Sequence, residues 1–196
     1  MKTFHKGTTF DTSNLQPEEL IHMYFAFYNV NYIRGFTSML TVVCEKTRMP
    51  WVFPTASKIS PVCIIWFILT TLMNKKQPWK HVIFDEDSEL ANSTDITNLL
   101  DDEFKRSMEN TGGNASWLNG NNKGKNRGIQ NMVRSALLNS NQHENKWCCE
   151  AEIPAEVYRC IIHSTLNNIS PHFEWYVQNP IIHELRIFGC DIYPIT

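Results

Sequence analysis

The chain has 196 residues, 42% of them hydrophobic, enough to bury one sizeable core in a single domain or a domain with an appendage. Its 18 Lys and Arg against 20 Asp and Glu create no global positive field, so any case for a nucleic-acid partner rests on local patches. Six cysteines without C-x-x-C spacing read as reduced thiols more readily than as a disulfide framework, and Met1 to Gly7 lacks the apolar stretch of a signal peptide; a nuclear or cytoplasmic protein is expected rather than a secreted one.

Taken in chain order, Glu19 to Val30 is rich in aromatic and branched residues and predicts a strand. Turn-prone Asn31 and Gly35 lead into a second, Phe36 to Val43, and Trp51 to Thr55 predicts a third. Ser57 is a candidate N-cap for the apolar helix that follows. The most apolar segment, Ile59 to Met73, is broken by Pro61 and shorter than the roughly 18 residues needed to span a bilayer, so it reads as a core helix and no membrane partner is expected. Pro78 closes it.

His81 to Phe84 predicts a fourth strand that delivers the acidic run Asp85 to Glu89 at its end, where open α/β sheets place ligand-binding groups. Ser93 or Thr94 caps an expected helix from Asp95 to Met108, and a loop rich in Gly and Asn, Thr111 to Asn126, separates it from a helix over Gly128 to Leu138. Glu144 to Thr165 reads as helical with an interruption near Pro154, and Pro171 to Thr196 as irregular and strand-like. The order predicts an α/β fold: a mixed central sheet, three antiparallel strands plus parallel strands, flanked by helices, with a C-terminal helical and irregular extension and residues 111 to 126 as the flexible element.

Several stretches then carry a family pattern in collinear order. Asn119-Gly120-Asn121-Asn122-Lys123-Gly124-Lys125-Asn126-Arg127 resembles the N-G-x-x-E-R-x-N-R segment of copia-type retrotransposon integrases. His22-Met23-Tyr24 is similar to the family's first catalytic strand, where an aspartate follows the His-Met pair, and Val82 to Leu90 to its second catalytic segment, with Asp85 on the aspartate. Trp147-Cys148-Cys149-Glu150-Ala151, Ser170-Pro171-His172 and Leu185-Arg186-Ile187-Phe188-Gly189-Cys190 look like the family's W-x-x-A, S-P and L-R-x-F-G-C patterns. The resemblance implies an RNase H-like fold, with 1–17 a linker remnant, 18–140 the integrase core and 141–196 its C-terminal extension.

It also implies chemistry that this chain has lost. Family members join DNA ends by in-line displacement at phosphorus, using Mg²⁺ or Mn²⁺ held by three carboxylates. Only Asp85 remains as a catalytic and metal candidate; Tyr24 and Lys123 occupy the other two positions. A phenol is neutral up to a pKa of roughly 10 and offers a single oxygen, while an ammonium has no lone pair and repels a dication by several kcal/mol or so. Loss of strand transfer is therefore expected, with no tightly bound metal. Asp87, Glu89, Glu45 and Glu109 are further acids that could approach, although a solvated strand end accounts for the acidic run as well.

Lys123, Lys125, Arg127 and Arg134, with the amides of Asn119 and Asn126, form a local stretch suited to phosphates, and Trp117 beside them could stack on a base. The same stretch also reads as a solvated helix start behind a flexible loop. DNA and a second copy of the chain are the partners the resemblance implies, and no small-molecule substrate is expected. The ending soon after Cys190 also suits a non-functional retroelement remnant, and a DNA-binding or protein-interaction module without enzymatic activity is a further reading. His5, His22 and His81 lack zinc-ligand spacing, so no zinc site is expected.

Overall fold

The computed structural model describes residues 19–27, 35–56, 62–73, 80–84, 93–104, 107–110, 116–141 and 143–185. The Asn31 turn, the Ser57 cap, the Pro78 stop, the acidic run 85–89, the linker remnant 1–17 and residues 186–190 of the closing motif lie outside these residues. The molecule is built on β1 (Leu20–Phe27), whose residues 20–26 alternate between two largely buried faces of a sheet. β2 (Ser38–Cys44) runs antiparallel to it with Tyr24 opposite Thr41, and β3 (Pro50–Thr55) runs antiparallel to β2. Gly35, with φ +79°, precedes this hairpin in the left-handed region that a side chain would strain.

α1 (Val62–Met73) then crosses over, so that β4 (His81–Phe84) returns parallel to β1 on its other side, with Met23 opposite Phe84. Next come α2 (Thr94–Asn98), a π-helical turn (Leu99–Phe104) and β5 (Ser107–Asn110), which adds parallel to β4. The sheet has five strands in the order β3-β2-β1-β4-β5. The α/β expectation holds, including the three antiparallel strands and the parallel addition.

Four expectations about local structure are corrected. The helix expected over Asp95 to Met108 is short: Ser93 caps it by accepting from the Ile96 amide, but the chain leaves it through the π-helical turn to form β5. Ser107 to Asn110 carries no branched or aromatic residue, so nothing local announces this strand; pairing with β4 makes it. The loop expected over Thr111 to Asn126 is helical from Ser116 onward, because α3 (Ser116–Asn139) runs for 24 residues through Gly120, Gly124 and four asparagines. Each glycine costs a helix about 1 kcal/mol relative to alanine, and each asparagine somewhat less, which is why the segment reads as a loop in sequence.

Pro154 does not interrupt α4 (Trp147–Cys160), the third correction. Its neighbours Trp147, Ala151 and Ala155 are almost wholly buried and hold the helix on both sides of the missing amide. The tail expected to be strand-like instead forms α5 (Pro171–Tyr176), with Ser170 accepting from the Phe173 amide at 3.1 Å and Pro171 in the first turn.

The sheet buries apolar side chains on both faces. Ile21, Met23, Leu40, Val42, Val82 and Phe84 pack on Ile65 and Ile68 of α1 and on Ile96 and Leu100. On the opposite face, Ala26, Met39 and Val52 pack with Ile129, Val133 and Leu137 of α3 and with Trp147, Ala151 and Ala155 of α4. Residues 147–155 thus share one core with the strands, and truncating buried Trp147 to alanine would cost about 3–5 kcal/mol.

Candidate functional site

Parity along β1 places His22, Tyr24 and Ala26 on the face covered by α3 and α4. Tyr24 is only 7% exposed. Burial, and secondarily the neighbouring phenol of Tyr158 on α4, raise its pKa well above the usual tyrosine range, so the group is neutral at any physiological pH. Its hydroxyl and the Thr41 hydroxyl are both buried without a hydrogen-bond partner among the described residues. Such groups cost stability, and a buried phenol cannot act as a carboxylate does.

Next to Tyr24 on the same strand, His22 points its Nε2 at Glu45 Oε2, 3.0 Å away, and the same oxygen lies 2.8 Å from Arg48 Nη1. Glu45 and Arg48 belong to the turn between β2 and β3, closed by bonds from the Cys44 amide to the Met49 carbonyl and from the Arg48 amide to the Cys44 carbonyl. To make that turn, Arg48 adopts φ 60°, unusual for a residue with a side chain. Glu45 is therefore held by an imidazole and a guanidinium rather than directed to a metal. Cys44 beside it is buried with a free thiol.

Tyr158 extends this polar region from α4. Its hydroxyl pKa is raised by burial and pulled partly back by the Arg48 guanidinium, and its ring meets that of His163 at a centroid distance of 4.6 Å. Arg159 donates from Nε to the Pro50 carbonyl at 2.9 Å and pairs with Glu156. Sequence reasoning missed this cluster. The available signals were a histidine on an otherwise apolar strand and an acid and a base three residues apart in a turn.

The three positions that the sequence resemblance matches to family carboxylates are reached unequally. Tyr24 is placed at mid-strand; Asp85 lies outside the described residues, directly after Phe84, which pairs with the residue before Tyr24. Position 123 lies in α3, eleven residues before Arg134; the described side chains of that helix begin at Arg127, and those of Trp117, Asn119, Lys123, Lys125 and Asn126 are not among them. Helical phase puts positions 123, 127 and 134 on one stripe and turns position 125 about 200° away from 123, so the cations divide between two faces. Arg127 and Arg134 are exposed and make no ion pair among the described residues.

A centre of two divalent cations needs several oxygen donors from carboxylates. Among the described residues no group of three or more His, Cys, Asp or Glu could hold a metal ion, and the neutral, enclosed phenol of Tyr24 fits no such role. Among those same residues no helix is long and apolar enough to cross a membrane.

Comparison of the whole fold with solved structures finds the HTLV-2 integrase catalytic core domain, solved in complex with magnesium in a trimeric form, at a TM-score of 0.63. The match covers 83% of this chain and 99% of that one. The fold is that of a retroviral integrase catalytic core. Identity over the match is 12%, so the likeness concerns the RNase H-like architecture. No family model matches the sequence, and no curated protein does. Within the integrase-type fold, β1 is the strand shared by the antiparallel and parallel parts of the sheet, and Tyr24 lies at its middle.

Proposed function

We propose that the chain is a copia-type retrotransposon integrase core that has lost catalysis and retains a DNA-binding surface along α3. The observation that carries the loss is Tyr24, a buried phenol with a raised pKa at the position where the sequence resemblance expects an aspartate. Lys123, at the position of the expected glutamate, supports it; an ammonium there would oppose Mg²⁺ or Mn²⁺ rather than bind it. The HTLV-2 core is a magnesium complex, whereas this chain keeps one of three carboxylates, Asp85.

DNA binding is supported by exposed Arg127 and Arg134 on a helix that contains no acidic residue. Lys125, Asn119, Asn126 and Trp117 belong to the same segment, and the reading assigns them phosphate contacts or base stacking. Purified protein should join no donor DNA in Mg²⁺ or Mn²⁺, and it should bind duplexes with low sequence preference and steep salt dependence. Metal-dependent joining would overturn the loss of catalysis. Binding unchanged after alanine replaces Lys123, Lys125 and Arg127 would overturn the assigned surface.

A further inference from the structure

The first half of α3 combines a helical backbone with a sequence that opposes it. Between Ser116 and Asn126 there are two glycines, four asparagines and no alanine, and Gly128 follows. Asparagine side chains compete for backbone groups, and glycine loses the most freedom on entering a helix. No acidic residue stands in the first turn to complement the helix dipole. Lys123 and Arg127, four residues apart, are like charges on neighbouring turns, which destabilises a helix further. The second half is pinned by Ile129, Val133 and Leu137 in the core.

One of these penalties, the like-charge repulsion, is relieved by a polyanion: phosphates laid along the stripe neutralise the 123/127 repulsion. The stripe of cations at 123, 127 and 134 exists as a stripe only when residues 116–127 are helical, because a coil would splay positions 123 and 127 away from 134. A ligand that binds the helical form better than the coil must shift the equilibrium toward helix.

We propose that residues 116–127 form a conditional helix, an N-terminal extension of α3 whose stability is linked to occupation of its cationic stripe by a nucleic-acid backbone. This rests on the DNA-binding reading above and adds how that surface is controlled: the free chain spends part of its time without the stripe, and the backbone phosphates complete it. Gly128 is a point at which this balance can be moved without disturbing packing, since a Cβ added there meets nothing within 4 Å.

Amide hydrogen exchange on the whole chain, free and with a short mixed-sequence duplex, tests the linkage. Protection of residues 116–127 should rise at least tenfold with the duplex, while residues 129–137 stay unchanged. In parallel, Gly124→Ala combined with Gly128→Ala should tighten duplex binding about tenfold and raise protection in the free chain. Free-chain protection over 116–127 equal to that over 129–137 overturns the inference whether or not DNA binds. A duplex that binds without changing protection of 116–127 overturns it and leaves the DNA-binding reading standing. Absence of binding overturns both.

Discussion

Tyr24 of β1 stands directly across the sheet register from Thr41 of β2, and both hydroxyls are buried with no hydrogen-bond partner among the described residues. A buried hydroxyl left unmade costs about 1–3 kcal/mol, so the site carries a penalty that a shape-conserving change can remove. Tyr24→Phe should stabilise the protein by about 1 kcal/mol, read from urea unfolding midpoints at constant m-value. Tyr24→Asp, the change toward a metal ligand, places a carboxylate in an enclosed site and should cost about 3 kcal/mol or more.

Alkaline pH should expose the same group. Tyr24 and Tyr158 both have folded-state pKa values raised by burial. The contribution of each is therefore fully present below the ordinary phenol value of about 10 and is lost as pH rises above it, because only the unfolded chain can ionise freely. Thermal melts between pH 8 and 11 should show a steep fall above about pH 10, flattened in Tyr24→Phe. A wild-type curve that stays level through pH 11 contradicts this.

Glu45 holds His22 and Arg48 together, and the side chains of both are largely buried. Glu45→Ala leaves two nitrogen groups facing a lost acceptor, and a cost of about 2–4 kcal/mol is expected at neutral pH. Glu45→Gln, which keeps shape and an acceptor oxygen, should recover part of that loss. Equal destabilisation by both substitutions would show that the carboxylate charge, not its shape or a neutral acceptor oxygen, carries the contribution.

Val177 ends α5 in the left-handed region, with φ 55° and ψ 30°, while its amide donates to the Phe173 carbonyl at 2.8 Å. Glycine is the residue suited to such a C-terminal position, and a β-branched side chain is the most strained there. The side chain is 77% exposed, so little packing is lost on its removal. Val177→Gly should raise stability by about 1 kcal/mol, seen as an upward shift in the thermal midpoint.

What could be read from residue order alone follows the strength of local signals. The strands around Met23, Val42 and Phe53 and the apolar helix containing Ile65 and Ile68 announce themselves because burial on both sheet faces demands runs of branched and aromatic residues. β5 did not, since Ser107 to Asn110 becomes a strand only by pairing with β4. Pro154 misled because its usual effect on a helix is outweighed by packing of Trp147, Ala151 and Ala155. At the candidate site, Tyr24 was singled out by a family pattern alone, whereas the grouping of His22, Glu45 and Arg48 depends on a turn whose geometry no local rule supplies.

β3 lies at one margin of the sheet, and its hydrogen bonding to β2 leaves positions 50, 52 and 54 facing away from the other strands. Two of these three are proline, and the carbonyl of Pro50 is already taken by Arg159. Val52 is left as the sole outward amide donor on the strand, so the margin is a poor template for a foreign strand. Resistance to fibrillar stacking is thus written into this border by ring closure at two backbone nitrogens and by one guanidinium reaching over from the neighbouring helix.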